Sequence, residues 1–137
     1  MFVDNNHVLS RLASRAIGKV APGWTIREGA SGEAAIRLLS EASEGPPDIM
    51  FVDQYMTSVE QSLVGTETVR AMRANGVNSI VCGLSANDPG EGFQKAGADA
   101  FVLKLFPSKE SELVPLLGKL LREHKRPTLV DVEDNIA

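Results

Sequence analysis

The chain has 137 residues, 43% of them hydrophobic and 23% charged, which suits one globular domain and excludes a disordered or collagen-like chain. Its 14 Lys+Arg against 18 Asp+Glu give a formal net charge of −4. That excludes the broad basic footprint needed to neutralise nucleic-acid phosphates, and five Phe, one Trp and one Tyr are too few for a base-stacking platform.

Met1-Phe2-Val3 is a short apolar run that ends at Asp4-Asn5-Asn6 and reads as the end of a buried strand. Its shortness suggests a domain cut from a longer protein. Leu9, Leu12, Ala13, Ala16, Ile17 and Val20 then fall on one helical face, and Pro22-Gly23 ends the helix. Trp24-Thr25-Ile26-Arg27-Glu28 is the expected second strand. Ser31 can cap a second helix with Ala34, Ala35, Ile36, Leu38 and Leu39 on its apolar face. After Gly45-Pro46-Pro47, the run Ile49-Met50-Phe51-Val52 between Asp48 and Asp53 reads as a strand buried on both sides. Residues 54–64 read as a loop, and residues 66–74 as a helix stopped by Asn75-Gly76. Ser79-Ile80-Val81-Cys82-Gly83-Leu84 is a fourth strand, residues 90–95 a weak helix, and Ala100-Phe101-Val102-Leu103 a fifth strand. Leu113, Leu116, Leu117, Leu120 and Leu121 mark the last helix, with Pro115 expected in its first turn.

Five β-α units imply a parallel sheet covered on both faces. Residues 1–123 form one layered α/β domain on this reading, and residues 124–137 an acidic tail or linker. The tail carries Asp131, Glu133 and Asp134 and leaves the rest of the chain near neutral. Cys82 is the only cysteine, so no intrachain disulfide and no Cys-rich zinc site is available, which fits a reducing compartment. No apolar run is long enough to span a membrane, and no secretory signal is read at the start. A cytoplasmic location is expected.

In such sheets ligands lie beyond the C-terminal ends of the strands. The first strand delivers Asp4 and Asn5 there, the third Asp53, the fourth Ser85 and the fifth Lys104. Carboxylate oxygens suit Mg²⁺. A hydroxyl and an ammonium suit phosphoryl oxygens, and a central carboxylate can itself form an acyl phosphate. Any one of these residues could be an ordinary polar strand end, but the ordered set points to chemistry.

The motifs Val3-Asp4-Asn5-Asn6, Val52-Asp53-Gln54-Tyr55-Met56, Leu84-Ser85-Ala86, Ala96-Gly97-Ala98-Asp99-Ala100-Phe101 and Val102-Leu103-Lys104 occur in one order and spacing. From Phe2 to about Glu123 the chain resembles the response-regulator receiver domains of two-component phosphorelay signalling. The resemblance implies a flavodoxin-like (βα)5 three-layer sandwich with a five-stranded parallel sheet in the order 2-1-3-4-5. It implies that Asp53 accepts a phosphoryl group from a phosphohistidine on a histidine kinase or histidine phosphotransfer protein. Asp4, Asn5, Asp53 and the Tyr55 backbone carbonyl would hold Mg²⁺. Ser85 and Lys104 would contact the phosphoryl group, and Phe101 would be the aromatic switch. Tyr55 and Asn87 occupy positions that tune phosphoryl lifetime. A monomer or weak dimer is expected, without a nucleic-acid or membrane partner, and with an upstream kinase module as a candidate neighbour in a longer chain. Such a domain is not a turnover enzyme; it catalyses its own phosphorylation and slow dephosphorylation at most.

Several residues depart from the family pattern. Asn5 replaces the second acid of the usual pair. Unit charges ~4 Å apart interact by about 4 kcal/mol at an effective dielectric of ~20, so weaker Mg²⁺ binding is expected. Thr57 stands where proline is usual, and the loop from 56 to 65 is about four residues long in excess. Leu105 replaces the proline after the lysine. A cis bond before a non-proline residue costs ~3–4 kcal/mol, so a trans bond or a shifted Lys104 is expected there. The fourth helix is expected to be short or disordered. These departures motivate an alternative, a degenerate receiver that only binds proteins. A Mg²⁺-dependent phosphatase with Asp53 as nucleophile is a third reading, weakened because Tyr55 stands where a general acid would be needed. His7 reads as a solvated first-turn residue, His124 as part of a solvated helix end, and Cys82 as core.

Overall fold

The computed structural model describes residues 1–41, 45–55, 63–86 and 91–124. Met56, Thr57, Asn87, Gly90 and the acidic tail beyond His124, which entered the sequence reading, lie outside the described residues. The elements run β1 (Phe2–Val3), α1 (His7–Val20), β2 (Glu28–Gly29), α2 (Gly32–Glu41), β3 (Ile49–Asp53), α3 (Gly65–Ala74), β4 (Ile80–Ser85), α4 (Glu91–Ala96), β5 (Ala100–Leu103) and α5 (Glu110–Glu123). All five strands pair in parallel, in the order β2-β1-β3-β4-β5. This is the flavodoxin-like arrangement expected from the sequence.

The apolar runs explain the layers. β3 and β4 are buried at every residue, as central strands covered on both faces require. Side chains alternate across the sheet and feed two clusters. Phe2, Ile49, Phe51, Ile80, Cys82 and Leu84 meet the Ile17 and Leu117 faces of α1 and α5. Val3, Met50, Val52 and Val81 meet Ala35, Val69, Met72 and Phe93 of α2, α3 and α4. Phe93 lies over Gly83, whose missing side chain makes room for the ring. Cys82 is core as expected, its thiol pushed up to about 12 by burial.

Three expectations need correction. The second strand is Glu28–Gly29, not residues 24–28. Only that far along does β1 offer partners, with Phe2 opposite Glu28 and Val3 opposite Gly29. Pro115 is the sixth residue of α5, past its first turn. Proline there lacks only the N–H that would bond the Ser111 carbonyl, and Leu113, Leu117, Leu120 and Leu121 still bury the helix face. Leu12 is on the α1 stripe by spacing but is 52% exposed, because the stripe's edge overhangs the core. α4 is six residues long, as short as expected.

Arg73 ties the sheet's other edge together. Its guanidinium donates to the carbonyls of Val77, Ser79 and Gly97 and pairs with Asp99 at 3.0 Å. Asp99 in turn accepts from the Val81 N–H.

Leu117→Ala should lower the unfolding free energy by about 2–5 kcal/mol in urea titrations, because the side chain is fully buried. Leu12→Ala should change it by less than about 0.5 kcal/mol. Equal losses at the two sites would contradict this packing.

Candidate functional site

The strand register brings the predicted residues together. Val3 pairs with Val52, so Asp4 and Asp53 leave adjacent strands side by side. Asp53 pairs with Leu84 and Ser85 with Leu103, so Ser85 and Lys104 follow on the next two strands. The Lys104 N–H donates to the Ser85 carbonyl at 2.9 Å and carries that alignment one residue past β5.

Lys104 Nζ sits 3.0 Å from Asp4 Oδ2 and 3.1 Å from Asp53 Oδ1. The Asp4 and Asp53 side chains are 1% and 5% exposed, and that of Lys104 is 18% exposed. Two carboxylates are thus buried against one ammonium. Burial pushes the Asp53 carboxyl up, the neighbouring Asp4 pushes it further, and Lys104 offsets part of this, leaving it at about 6. Burial alone would lower the Lys104 ammonium, but the two carboxylates outweigh it and hold it above its ordinary value.

Other predicted residues take distinct places. Ser85 is buried at the end of β4. Asn5 is exposed at the rim, beside buried Asp4. Tyr55 is 60% exposed, two residues past Asp53. Phe101 is partly buried and packs on the α3–α4 cluster. His7 is exposed at the start of α1. The Lys104–Leu105 bond is cis, which corrects the expected trans bond. That expectation weighed only the intrinsic preference of an isolated bond and left out the contacts of Lys104 with both carboxylates.

Several supports were missed in the sequence. The Asn6 side chain accepts from the N–H groups of Val8 and Leu9 and caps α1, while its own N–H donates to Asp4 Oδ1 at 2.9 Å. The Val-Asp-Asn-Asn run carried that capping signal. Gln54 Oε1 accepts from the Thr66 N–H at 2.9 Å, and the Gly65 N–H donates to the Gln54 carbonyl at 2.9 Å. A Cβ on Gly65 would collide with the Asp53 carbonyl and come within 2.9 Å of Gln54 Cα. α3 therefore starts directly against the backbone that carries Asp53. Phe106 stacks edge-on against Phe2 and Phe51, at centroid distances of 5.2 and 4.9 Å, and fixes the chain after Lys104.

The donor set fits a hard cation. Asp4 and Asp53 offer carboxylate oxygens, Asn5 an amide oxygen and Tyr55 a backbone carbonyl. Among the described residues, no group of three His, Cys, Asp or Glu clusters as a metal site, so the amide and carbonyl would have to complete it.

No family model matches the chain. No curated protein matches it by sequence. Solved structures do match. The receiver domain of the Francisella response regulator 1452 shares 23% identity, with 90% of this chain and 96% of that one covered, at a TM-score of 0.66. The chemotaxis protein CheY4 of Vibrio cholerae shares 20%, over 88% and 95% of the two chains, at 0.70. NtrX from Brucella abortus shares 17% at 0.74, and there the match covers 90% of this chain but only 27% of the other. The chain therefore has the fold of response-regulator receiver domains, a fold also found as one part of a larger protein.

The raised Asp53 carboxyl has a consequence for stability. Folding favours its protonated form, so that contribution is fully present below its ordinary value near 3.8 and is lost as pH rises through about 6. Thermal melts should show the native chain losing stability across that window, and Asp53→Asn should flatten the slope. An unchanged slope in the variant would contradict the placement of Asp53. Gly65→Ala should destabilise by about 1–3 kcal/mol, the scale of overpacking against backbone.

Proposed function

We propose that this protein is a phosphoacceptor receiver of a two-component or phosphorelay system. The observation that carries the reading is Lys104 Nζ lying 3.0 and 3.1 Å from Asp4 and Asp53 at the sheet edge where the receiver fold places its chemistry. An Asp53 oxygen attacks the phosphorus of a phosphohistidine. The P–N bond breaks, its electron pair stays on the imidazole nitrogen, and that nitrogen takes up a proton. Lys104 turns from the carboxylates to the phosphoryl oxygens, with the Ser85 hydroxyl beside it. Asp4, Asn5, Asp53 and the Tyr55 carbonyl would hold Mg²⁺, which, when bound, neutralises phosphoryl charge. Phe101 then reports occupancy to the outer surface.

The partner is a histidine kinase or histidine phosphotransfer protein. Val8, Leu12 and Leu105 are 68%, 52% and 77% exposed and lie on α1 and the β5–α5 connection, next to the site. They offer it an apolar rim. No helix among the described residues is long and apolar enough to cross a membrane, and we assign the domain, residues 1–123, to the cytoplasm. A longer chain with an upstream kinase module, and residues 124–137 as tail or linker, is part of this reading; what supports it is only that the same fold makes up 27% of NtrX. The domain acts as a monomer or weak dimer and switches protein interactions.

The degenerate reading rests on one specific observation. Asn5 is exposed and uncharged, and Lys104 already holds both remaining carboxylates.

Incubation with Mg²⁺ and a small-molecule phosphodonor should add one phosphoryl group by intact mass, and none to Asp53→Asn. Lys104→Met should slow the reaction by about 10²-fold, the scale of losing one charge-stabilising group. Equal labelling of Asp53→Asn would sink the assignment. No labelling of the native chain, with partner binding unchanged in Asp53→Asn, would establish the degenerate reading.

A further inference from the structure

Gln54 follows Asp53, and both its backbone groups and both its side-chain polar atoms are hydrogen-bonded. Its N–H donates to the Leu84 carbonyl at 3.0 Å, and its carbonyl accepts from the Gly65 N–H at 2.9 Å. Its Oε1 accepts from the Thr66 N–H at 2.9 Å, and its Nε2 donates to the Thr66 hydroxyl at 3.4 Å. The first bond continues the sheet. The other three span the base of the loop, so the chain leaves at Gln54 and returns beside it at Gly65. The return is so close that a Cβ on Gly65 would meet the Asp53 carbonyl.

The bond to Thr66 is a helix cap supplied from outside the helix. Val64 stands at the N-cap of α3 and makes no side-chain cap bond, because valine carries no acceptor. A serine there would satisfy a first-turn N–H and bind only its own helix. Gln54 does so from the end of β3 instead. It thereby joins the start of α3 to the backbone between Asp53 and Tyr55. Hydrogen bonds on both sides of the Gln54 Cα restrain its two soft dihedrals, and the planar peptide then places the Tyr55 nitrogen and Cα. The length of the loop is thus separated from the geometry at Asp53.

We propose that Gln54 is a positioning residue of the phosphoacceptor site, holding the Asp53–Tyr55 backbone so that the Asp53 carboxylate and the Tyr55 carbonyl serve one divalent cation despite the long loop. This rests on the phosphoacceptor reading, in which those two groups share Mg²⁺. Gln54 acts through its neighbours and is not itself a ligand. Partners that orient metal ligands from behind are typically worth about 10–100-fold in affinity. A ligand carbonyl that must be ordered only on binding loses that advantage.

The test titrates the full chain with Mg²⁺ alone and reads half-saturation from the side-chain carboxyl carbons of Asp4 and Asp53. Gln54→Met keeps the side chain's length and loses both Thr66 bonds, and should raise the half-saturating Mg²⁺ at least about tenfold. Thr66→Pro removes the same N–H from the other side, in the first turn of α3 where proline is tolerated, and should weaken binding alike. Adding Val64→Ser to Gln54→Met supplies a local cap. It should recover the urea midpoint lost in Gln54→Met and leave Mg²⁺ binding weak. Native-like Mg²⁺ binding in Gln54→Met and Thr66→Pro would overturn the proposal and leave the phosphoacceptor reading standing. So would recovery of Mg²⁺ affinity with Val64→Ser, which would reduce Gln54 to a helix cap. No saturable Mg²⁺ shift in the native chain would overturn the proposal and that reading together.

Discussion

One ammonium shared by two buried carboxylates sets the terms of this molecule. Lys104 lies within 3.1 Å of Asp4 and Asp53, both almost wholly removed from water. A buried charge without a partner is expensive, and here two negative groups compete for one positive group. Burial first, and then the neighbouring Asp4 carboxylate, raise the Asp53 carboxyl, and the single ammonium offsets only part of that. The imbalance also leaves the cluster one positive charge or one proton short of neutrality.

The rest of the fold serves that contact. Parallel pairing puts Asp4 beside Asp53 and carries Ser85 and Lys104 to the same edge. Gly65 and Gln54 bring α3 against the Asp53 backbone. Asn6 caps α1 while bonding Asp4. Phe106, wedged against Phe2 and Phe51, anchors the segment after Lys104. Each support is a packing or capping contact with no chemistry of its own.

Much of this was legible in the sequence, for identifiable reasons. Continuous apolar runs at residues 49–52 and 80–84 can only be central strands, and the helical stripes on α1 and α5 force the layers. The polar residues that end those runs mark the site, because a strand end fixes where a side chain emerges. The second strand was misplaced because a two-residue strand has no period to read, and its bounds come from what β1 offers. Gln54, Gly65 and Arg73 stayed hidden because their partners are backbone groups distant in sequence. The Lys104–Leu105 geometry was misjudged because local preference says nothing about contacts one hundred residues away, such as that with Asp4.

The most direct test is the titration of the Asp53 side-chain carboxyl carbon by NMR, in the native chain and in Lys104→Met. The shared-ammonium account predicts a midpoint near 6 in the native chain, displaced upward when the ammonium is removed. A native midpoint in the ordinary carboxylate range, unmoved by Lys104→Met, would contradict it.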